Sequence, residues 1–400
     1  KLSWNDTNKF PYETFVWEGI DGTDVLVHFN CTHVWPDPKT LLGRVEGRGS
    51  TDFVQQKTVS DSRLISYGQG DGGGGPMFEM IEMSRRVKDL DGCPRAEHMS
   101  VSDFMKRLEK EAVNPNVYSG ELYLELHRGT LTNQHQIKRN NRKAEIAIHN
   151  AELLTVAEAV KAGKPASDEE IHPLLETLLV NQFHDILPGT CIQSAHEQSH
   201  RETTAVIENA TAIADRLTEG TGDQSKDTVI NLLPFDVSDV VYLDAKKGCI
   251  SADDTVCQQV VCDLDGNQLL AVTGLNLPAM SSLTVSHDGR CACSNKNFTY
   301  ENGKVTTPFA EIAFNEKGYV KSFVDRRNGR QLVGGLPLNT FLMAEDVPSA
   351  WDNWDINADI QPKFKDCAEL LNEEVVSNGA AQLRIRRVYK LSELSTIRQD

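Results

Sequence analysis

The stretch Asn181-Gln182-Phe183-His184-Asp185-Ile186-Leu187-Pro188-Gly189-Thr190 closes a strongly apolar segment and sets a histidine beside an aspartate. Leu174, Leu175, Leu178, Leu179, Phe183 and Ile186 recur at the spacing of one buried helical face. Ser167 or Asp168 is placed to start that helix, and Glu169 and Glu170 suit its positive end. Pro188 and Gly189 are expected to stop it. On such a helix His184 lies about 100° around from Phe183, nearer Asn181 and Thr177. An imidazole and a carboxylate side by side at the edge of a core helix suit metal binding or a polar substrate pocket. They equally suit a helix-end histidine bonded to its surroundings.

Working outward, residues 131–222 are almost wholly helical in pattern. Thr132 can cap a long helix carrying Ile137, Ala144, Ile148, Ala151 and Leu154 on one face, and Gly163-Lys164-Pro165 breaks it. A further helix carries Val206, Ala210, Ile213 and Leu217. Three helices with short connections make a bundle, assigned to residues 126–222. Residues 1–125 mix strands (Val25–Phe29, Ser62–Tyr67) with helices opening at Pro76 and at Ser102 or Asp103, as in the closing part of an α/β domain. Residues 223–400 turn to strands and polar turns, among them Thr228–Leu233, Val240–Leu243, Phe309–Phe314 and Ala381–Tyr389. Their spacing predicts a β-sandwich. The expected fold class is therefore multidomain: the end of an α/β domain, a three-helix bundle, then a β-sandwich.

Composition narrows the function. A net charge of −17 argues against nucleic acid or an anionic membrane as partner. No apolar run is long enough to span a bilayer. The nine cysteines form no CxxC pair, Cys291-Ala292-Cys293 is too isolated for a zinc site, and the odd count suits reduced thiols. Asn-x-Ser/Thr triplets at Asn5, Asn30, Asn209 and Asn297 arise often by chance and do not establish secretion.

Three further places can carry chemistry. Asp71 stands before four glycines at the expected C-terminal end of a strand, where a carboxylate can enter a cleft or cap the next helix. A phosphate-cradling loop is disfavoured there, because no Lys-Ser/Thr follows the glycines. Glu125 and His127 share one face of a strand ending at Gly129, with Arg128 on the other. Trp351-Asp352-Asn353-Trp354-Asp355 combines aromatic faces with carboxylates, equipment for sugar binding or a loop with one core Trp. The basic cluster Lys138, Arg139, Arg142 and Lys143 reads as a solvated helix face.

Four segments together resemble glycoside hydrolase family 38, the retaining α-mannosidases, in its cytosolic/vacuolar branch. They are Lys1–Asn5 with Phe15–Gly22, Gly70–Pro76, Leu122–Thr130 and Asn181–Thr190, in the family's order. The likeness runs from residue 1 to about Phe235 and more weakly to Asp355. It implies a zinc-dependent double displacement on terminal α-mannosides of oligosaccharides, in the cytoplasm or a vacuole-like compartment. Asp71 matches the general acid/base and His184 a zinc ligand. Asp185, Arg128, His127, Trp351, Asp352 and Asp355 match sugar-pocket positions. A Tyr contact of the Golgi branch is unmatched, and Phe341 lies near its expected place.

In the family, a His-x-Asp motif and the nucleophilic Asp precede the segment that is residues 1–5 here. The chain is thus expected to be an internal piece of a longer enzyme, inactive alone. Rival expectations are a non-catalytic carbohydrate-binding or assembly module and a His-Asp metal phosphohydrolase. The latter needs further His and Asp ligands on neighbouring helices. Monomer and homo-oligomer both stay open.

Overall fold

A computed structural model describes residues 10–47, 56–70, 74–122, 127–219, 223–287, 289, 298–348 and 351–400. The chain forms two compact units, Lys1–Thr132 with Trp351–Ile356, and Asn133–Ala350 with Asn357–Asp400.

In the first unit β1 (Thr14–Glu18) pairs antiparallel with β2 (Asp24–His28). Strand β3 (Cys31–Val34) leads to α1 (Pro38–Glu46), whose N-terminus Asp37 caps by accepting from the Thr40 N–H. Strand β4 (Ile65–Tyr67) runs parallel to β3. Two helices follow, α2 (Phe78–Arg86) and α3 (Val101–Glu111), the latter capped by Ser100. Strand β5 (Asn116–Ser119) then returns parallel to β1. Phe15, Phe29, Met80, Phe104 and Leu108 are buried in this unit. Phe10, Phe15, Phe29 and Tyr118 pack ring against ring.

His28 is buried and held neutral. The Leu64 N–H donates to its Nε2 at 3.2 Å, so the ring proton sits on Nδ1 and faces Thr14 Oγ1 at 2.9 Å. Burial first, then the Arg63 guanidinium, pushes its pKa down to about 4. The folded state therefore binds fewer protons than the unfolded chain between pH 6.5 and 4. Stability is full above about 6.5 and declines as pH falls toward 4, by roughly 3 kcal/mol in all. Urea unfolding at pH 7.5 and pH 5 is expected to show this loss, and His28→Gln to lack His28's share of it.

In the second unit α4 (His135–Ala162), α5 (His172–Asn181) and α6 (Gln193–Thr218) enclose a core of Ala144, Ile148, Ala151, Ile171, Leu178, Val206, Ala210 and Ile213. The expected faces of α4 and α6 are those found. Inside the core the buried Asn140 Nδ2 lies 3.2 Å from both His200 Nδ1 and Thr203 Oγ1. That polar contact fixes the register of α4 against α6.

The middle helix departs from expectation at both ends. It starts at His172, because Pro173 lacks an N–H and fits only the first turn. It stops at Asn181, ahead of His184. Asn181 Nδ2 turns back to the Thr177 carbonyl at 2.8 Å and also donates to Glu202 Oε2 on α6. A side chain competing for a backbone carbonyl is a common reason for a helix to end. Its buried stripe is also narrower than expected, with Ile171 and Leu178 buried while Leu175, Leu179 and Phe183 are exposed.

The rest of this unit is β. Strand β6 (Lys226–Asn231) comes first, and β7 (Val241–Asp244), β8 (Cys257–Cys262) and β9 (Gln268–Thr273) form a sheet in the order β7-β9-β8. Strand β10 (Ser281–Ser286) lies antiparallel to β6. Next come β11 (Thr299–Glu301), β12 (Lys304–Thr306), β13 (Ala310–Phe314), β14 (Val320–Asp325) and β15 (Arg330–Gln331), in one antiparallel meander. Strands β16 (Leu342–Met343) and β17 (Lys365–Asp366) make a pair. Strands β18 (Glu369–Asn378), β19 (Leu383–Lys390) and β20 (Thr396–Gln399) make a last sheet. Phe341 packs against Tyr319 and Tyr389 there. The expectation of reduced thiols fails at Cys249 and Cys257, which are disulfide-bonded; Cys93, Cys191, Cys262 and Cys367 are free. Parity of the cysteine count does not reveal which of them approach one another. Among the described residues no helix is long and apolar enough to cross a membrane.

Candidate functional site

His184 and Asp185 lie in a run of tight turns between α5 and α6. The Phe183 N–H bonds the Val180 carbonyl, Ile186 and Leu187 bond back to Phe183, and Gly189 bonds Ile186. Three of these bonds span three residues where an α-helix spans four, so α5 does not continue and the pair stands on a loop rather than a helix end. His184 Nε2 is 3.2 Å from Asp185 Oδ2, and the two side chains are 74% and 42% exposed. The His184 ring rests on Phe183, centroids 4.2 Å apart. Asp185 Oδ1 accepts from the Thr190 hydroxyl at 3.2 Å. Both polar side chains thus have one fixed neighbour and one side open to a ligand.

The turn is pinned to the helices beneath it. Gln182 Nε2 donates to Asn141 Oδ1 and Glu145 Oε1 on α4, each at 3.1 Å. Lys138 Nζ donates to the Pro188 carbonyl at 2.8 Å. Lys138 was expected on a solvated face with Arg139, Arg142 and Lys143. The other three are exposed, whereas Lys138 is half-buried, and burial lowers its pKa. Helical periodicity alone could not separate Lys138 from its basic neighbours, since the acceptor it finds is 50 residues away.

Gly189 closes the turn at φ +80°, where a Cβ would come within 2.8 Å of both Asn133 Oδ1 and Gln134 Cβ. A left-handed backbone costs an L-residue about 1–2 kcal/mol, and overpacking adds about 1–3. Gly189→Ala is expected to destabilise the protein by about 2–5 kcal/mol, read as a lowered urea midpoint.

The first unit carries a second cluster. Residues His127–Leu131 are not the end of a strand as expected: Gly129–Leu131 is a 3-10 turn, and Glu125 lies outside the described residues. Arg128 Nε donates to Asp355 Oδ1 at 3.0 Å, and its Nη2 to the Ile356 carbonyl at 2.7 Å. The Gly129 N–H bonds the Trp354 carbonyl. A Cβ on Gly129 would meet the Asn353 carbonyl at 3.1 Å, so glycine permits this close approach. The His127 and Trp354 rings meet edge to face at 4.9 Å. The arrangement brings His127, Arg128 and Asp355 together, 227 residues apart in sequence for the ion pair. Trp351 is 70% exposed and has φ +58°, and Asn353 has φ +64°. A bulky residue in that backbone region is unusual and signals a loop held by its surroundings. Trp354 is the packed aromatic of the segment; Trp351 and Asp352 face outward.

Asp71 lies outside the described residues. Those flanking it are fixed: beyond the C-terminal end of β4, Gln69 and Gly74 form an antiparallel bridge.

An imidazole and a carboxylate are donors that suit zinc. His184 fits as one member of such a set, its imidazole being 74% exposed. Among the described residues no group of three His, Cys, Asp or Glu side chains is placed to hold an ion.

Three family descriptions match the chain in succession. "Glycosyl hydrolases family 38 N-terminal domain" covers residues 1–123, "Alpha mannosidase middle domain" 125–219, and "Glycosyl hydrolases family 38 C-terminal domain" 305–400. The chain belongs to glycoside hydrolase family 38. Within the family it is 32% identical over 374 residues to Alpha-mannosidase 2C1 of Homo sapiens, covering 89% of this chain and 33% of that protein. It is 30% identical over 398 residues to Alpha-mannosidase G of Dictyostelium discoideum, covering 89% and 36%. An Alpha-mannosidase of Saccharomyces cerevisiae is 28% identical over 413 residues, covering 100% and 35%. This family 38 chain therefore spans about a third of the length of the curated relatives it matches. The crystal structure of an α-mannosidase from Enterococcus faecalis V583 superposes with a TM-score of 0.61 at 13% identity, over 94% of this chain and 49% of that one. That likeness concerns the fold alone.

Proposed function

We propose that this chain is part of a retaining, zinc-dependent α-mannosidase acting on terminal α-mannosides of oligosaccharides. The observation that carries the reading is the ordered succession of N-terminal (1–123), middle (125–219) and C-terminal (305–400) family domains along it, together with relatives named α-mannosidases. With it goes a partition into the end of an α/β catalytic domain (1–125), a helix bundle (126–222) and a β-sandwich (223–400).

In this reading Asp71 protonates the departing glycosidic oxygen, then deprotonates the water that hydrolyses the mannosyl-enzyme. The attacking carboxylate is the aspartate the family carries ahead of its Lys-Leu-Ser-Trp-Asn segment. His184 is a neutral imidazole ligand. Zinc, if bound, would act as a Lewis acid and template toward sugar oxygens, with His184 among the residues that would hold it. Asp185 is assigned to a sugar hydroxyl; in the structure Thr190 donates to its Oδ1 and the His184 Nε2 lies 3.2 Å from its Oδ2. Arg128, His127 and Asp355 shape the pocket's wall, and Trp351 with Asp352 offers a face and a carboxylate to the sugar. The net charge of −17 is compatible with a neutral sugar but does not point to one. The protein is assigned to the cytoplasm or a vacuole-like compartment.

Hydrolysis of 4-nitrophenyl α-mannoside by the full-length protein, followed by proton NMR, tests this. Retention requires α-mannose as the first product. β-Mannose first, or no hydrolysis with zinc present, overturns the reading.

A further inference from the structure

We infer that Lys138 is a positioning residue for the His184–Asp185 turn, acting through the Pro188 carbonyl. The inference rests on the proposed role of that turn and adds a residue to it. Lys138 lies in the first turns of α4, where the helix end is positive and a cation is disfavoured. Gln134, at the helix start, gives no side-chain cap. A lysine in that position needs compensating acceptors, and it has three. Its ammonium donates to the Asn133 carbonyl at 2.7 Å, Asn133 Oδ1 at 3.0 Å and the Pro188 carbonyl at 2.8 Å. Those bonds use all three N–H donors of the group.

Two of the acceptors belong to Asn133 at the foot of α4, and the third belongs to the residue before Gly189. The same Asn133 Oδ1 is the atom a side chain on Gly189 would strike. Lys138, Asn133, Pro188 and Gly189 thus form one tight junction. Its loop side begins three residues after Asp185 and ends one before Thr190, whose hydroxyl donates to the Asp185 carboxylate. Pro188 offers only a carbonyl to the junction, so a donor from elsewhere must hold it. Because the ammonium is half-buried, its bonds are shielded from competing water. The Lys138 stem reaches from α4 to a loop that α5 alone, ending at Asn181, does not fix.

The test uses the full-length protein and three variants, Lys138→Met, Lys138→Arg and His184→Ala, with zinc as the probe. Zinc affinity is measured by competition with a chelator, alongside kcat and KM for 4-nitrophenyl α-mannoside. Loss of an outer partner of a metal site typically costs roughly 10- to 100-fold in affinity. Lys138→Met is expected to weaken zinc binding by about that factor and to lower kcat more than it raises KM. Lys138→Arg, which keeps donors for Pro188, is expected to recover most of both. Hydrogen exchange of the backbone amides of residues 183–187, 189 and 190 in Lys138→Arg and wild type reports on the turn even if Lys138→Met does not fold. Wild-type zinc affinity and kcat in Lys138→Met overturn the inference, as does failure of Lys138→Arg to do better than Met. If His184→Ala weakens zinc while Lys138→Met does not, only the role of Lys138 falls. If His184→Ala leaves zinc unchanged, the site itself falls and Lys138 with it.

Discussion

Replacing Asp71 by Asn in the full-length protein is expected to lower kcat for an unactivated α-mannoside by roughly a thousandfold, within the range a positioned acid/base supplies. Zinc content should stay at the wild-type level, because Asp71 is assigned to the leaving group and not to the ion. The dependence on the leaving group separates this role from simple damage. A phenol of low pKa departs without protonation, so the loss on such a substrate should be much smaller for the glycosylation step. Equal losses on good and poor leaving groups would remove Asp71 from proton transfer.

The second large effect is at His184. His184→Ala deletes a direct ligand, so zinc affinity should fall beyond the roughly 10- to 100-fold that loss of an outer partner costs. Turnover should fall with it and be partly restored by excess zinc. The fold should survive, since the imidazole is 74% exposed and its contacts are with its sequence neighbours Phe183 and Asp185. An unfolding free energy within about 0.5 kcal/mol of wild type, both measured without zinc, is the expected control. Unchanged zinc content would contradict the assignment.

Much of the helical unit was legible because burial follows periodicity there. Ile137, Ala144, Ile148 and Ala151 on α4, and Val206, Ala210 and Ile213 on α6, are the buried residues expected. The middle helix was not, and the causes are local. Pro173 moved its start, and the Asn181 side chain, bonded to Thr177 and Glu202, ended it early. A periodic pattern of leucines says nothing about which polar side chain will intercept a carbonyl. Leu175, Leu179 and Phe183 were therefore placed inside when they are exposed.

The site residues show the same division. The chemistry of His184 with Asp185, and of the Trp351–Asp355 segment, could be read from residue type and resemblance. Contacts at long range could not: Arg128 with Asp355 spans 227 residues, and Lys138 with Pro188 spans 50. Glycines at 129 and 189 carried a signal that went unused. At both, a side chain would collide with groups brought in from elsewhere. A glycine directly after a candidate site residue, or ending its loop, marks a close approach as readily as a turn.

The most direct test of the account is the zinc anomalous signal in crystals of the full-length protein soaked with a mannose-like inhibitor. The account predicts one peak with an imidazole nitrogen of His184 about 2.0–2.1 Å away, and a carboxyl oxygen of Asp71 beside the glycosidic position of the inhibitor. A peak remote from His184, or Asp71 on a surface the inhibitor does not reach, would contradict it.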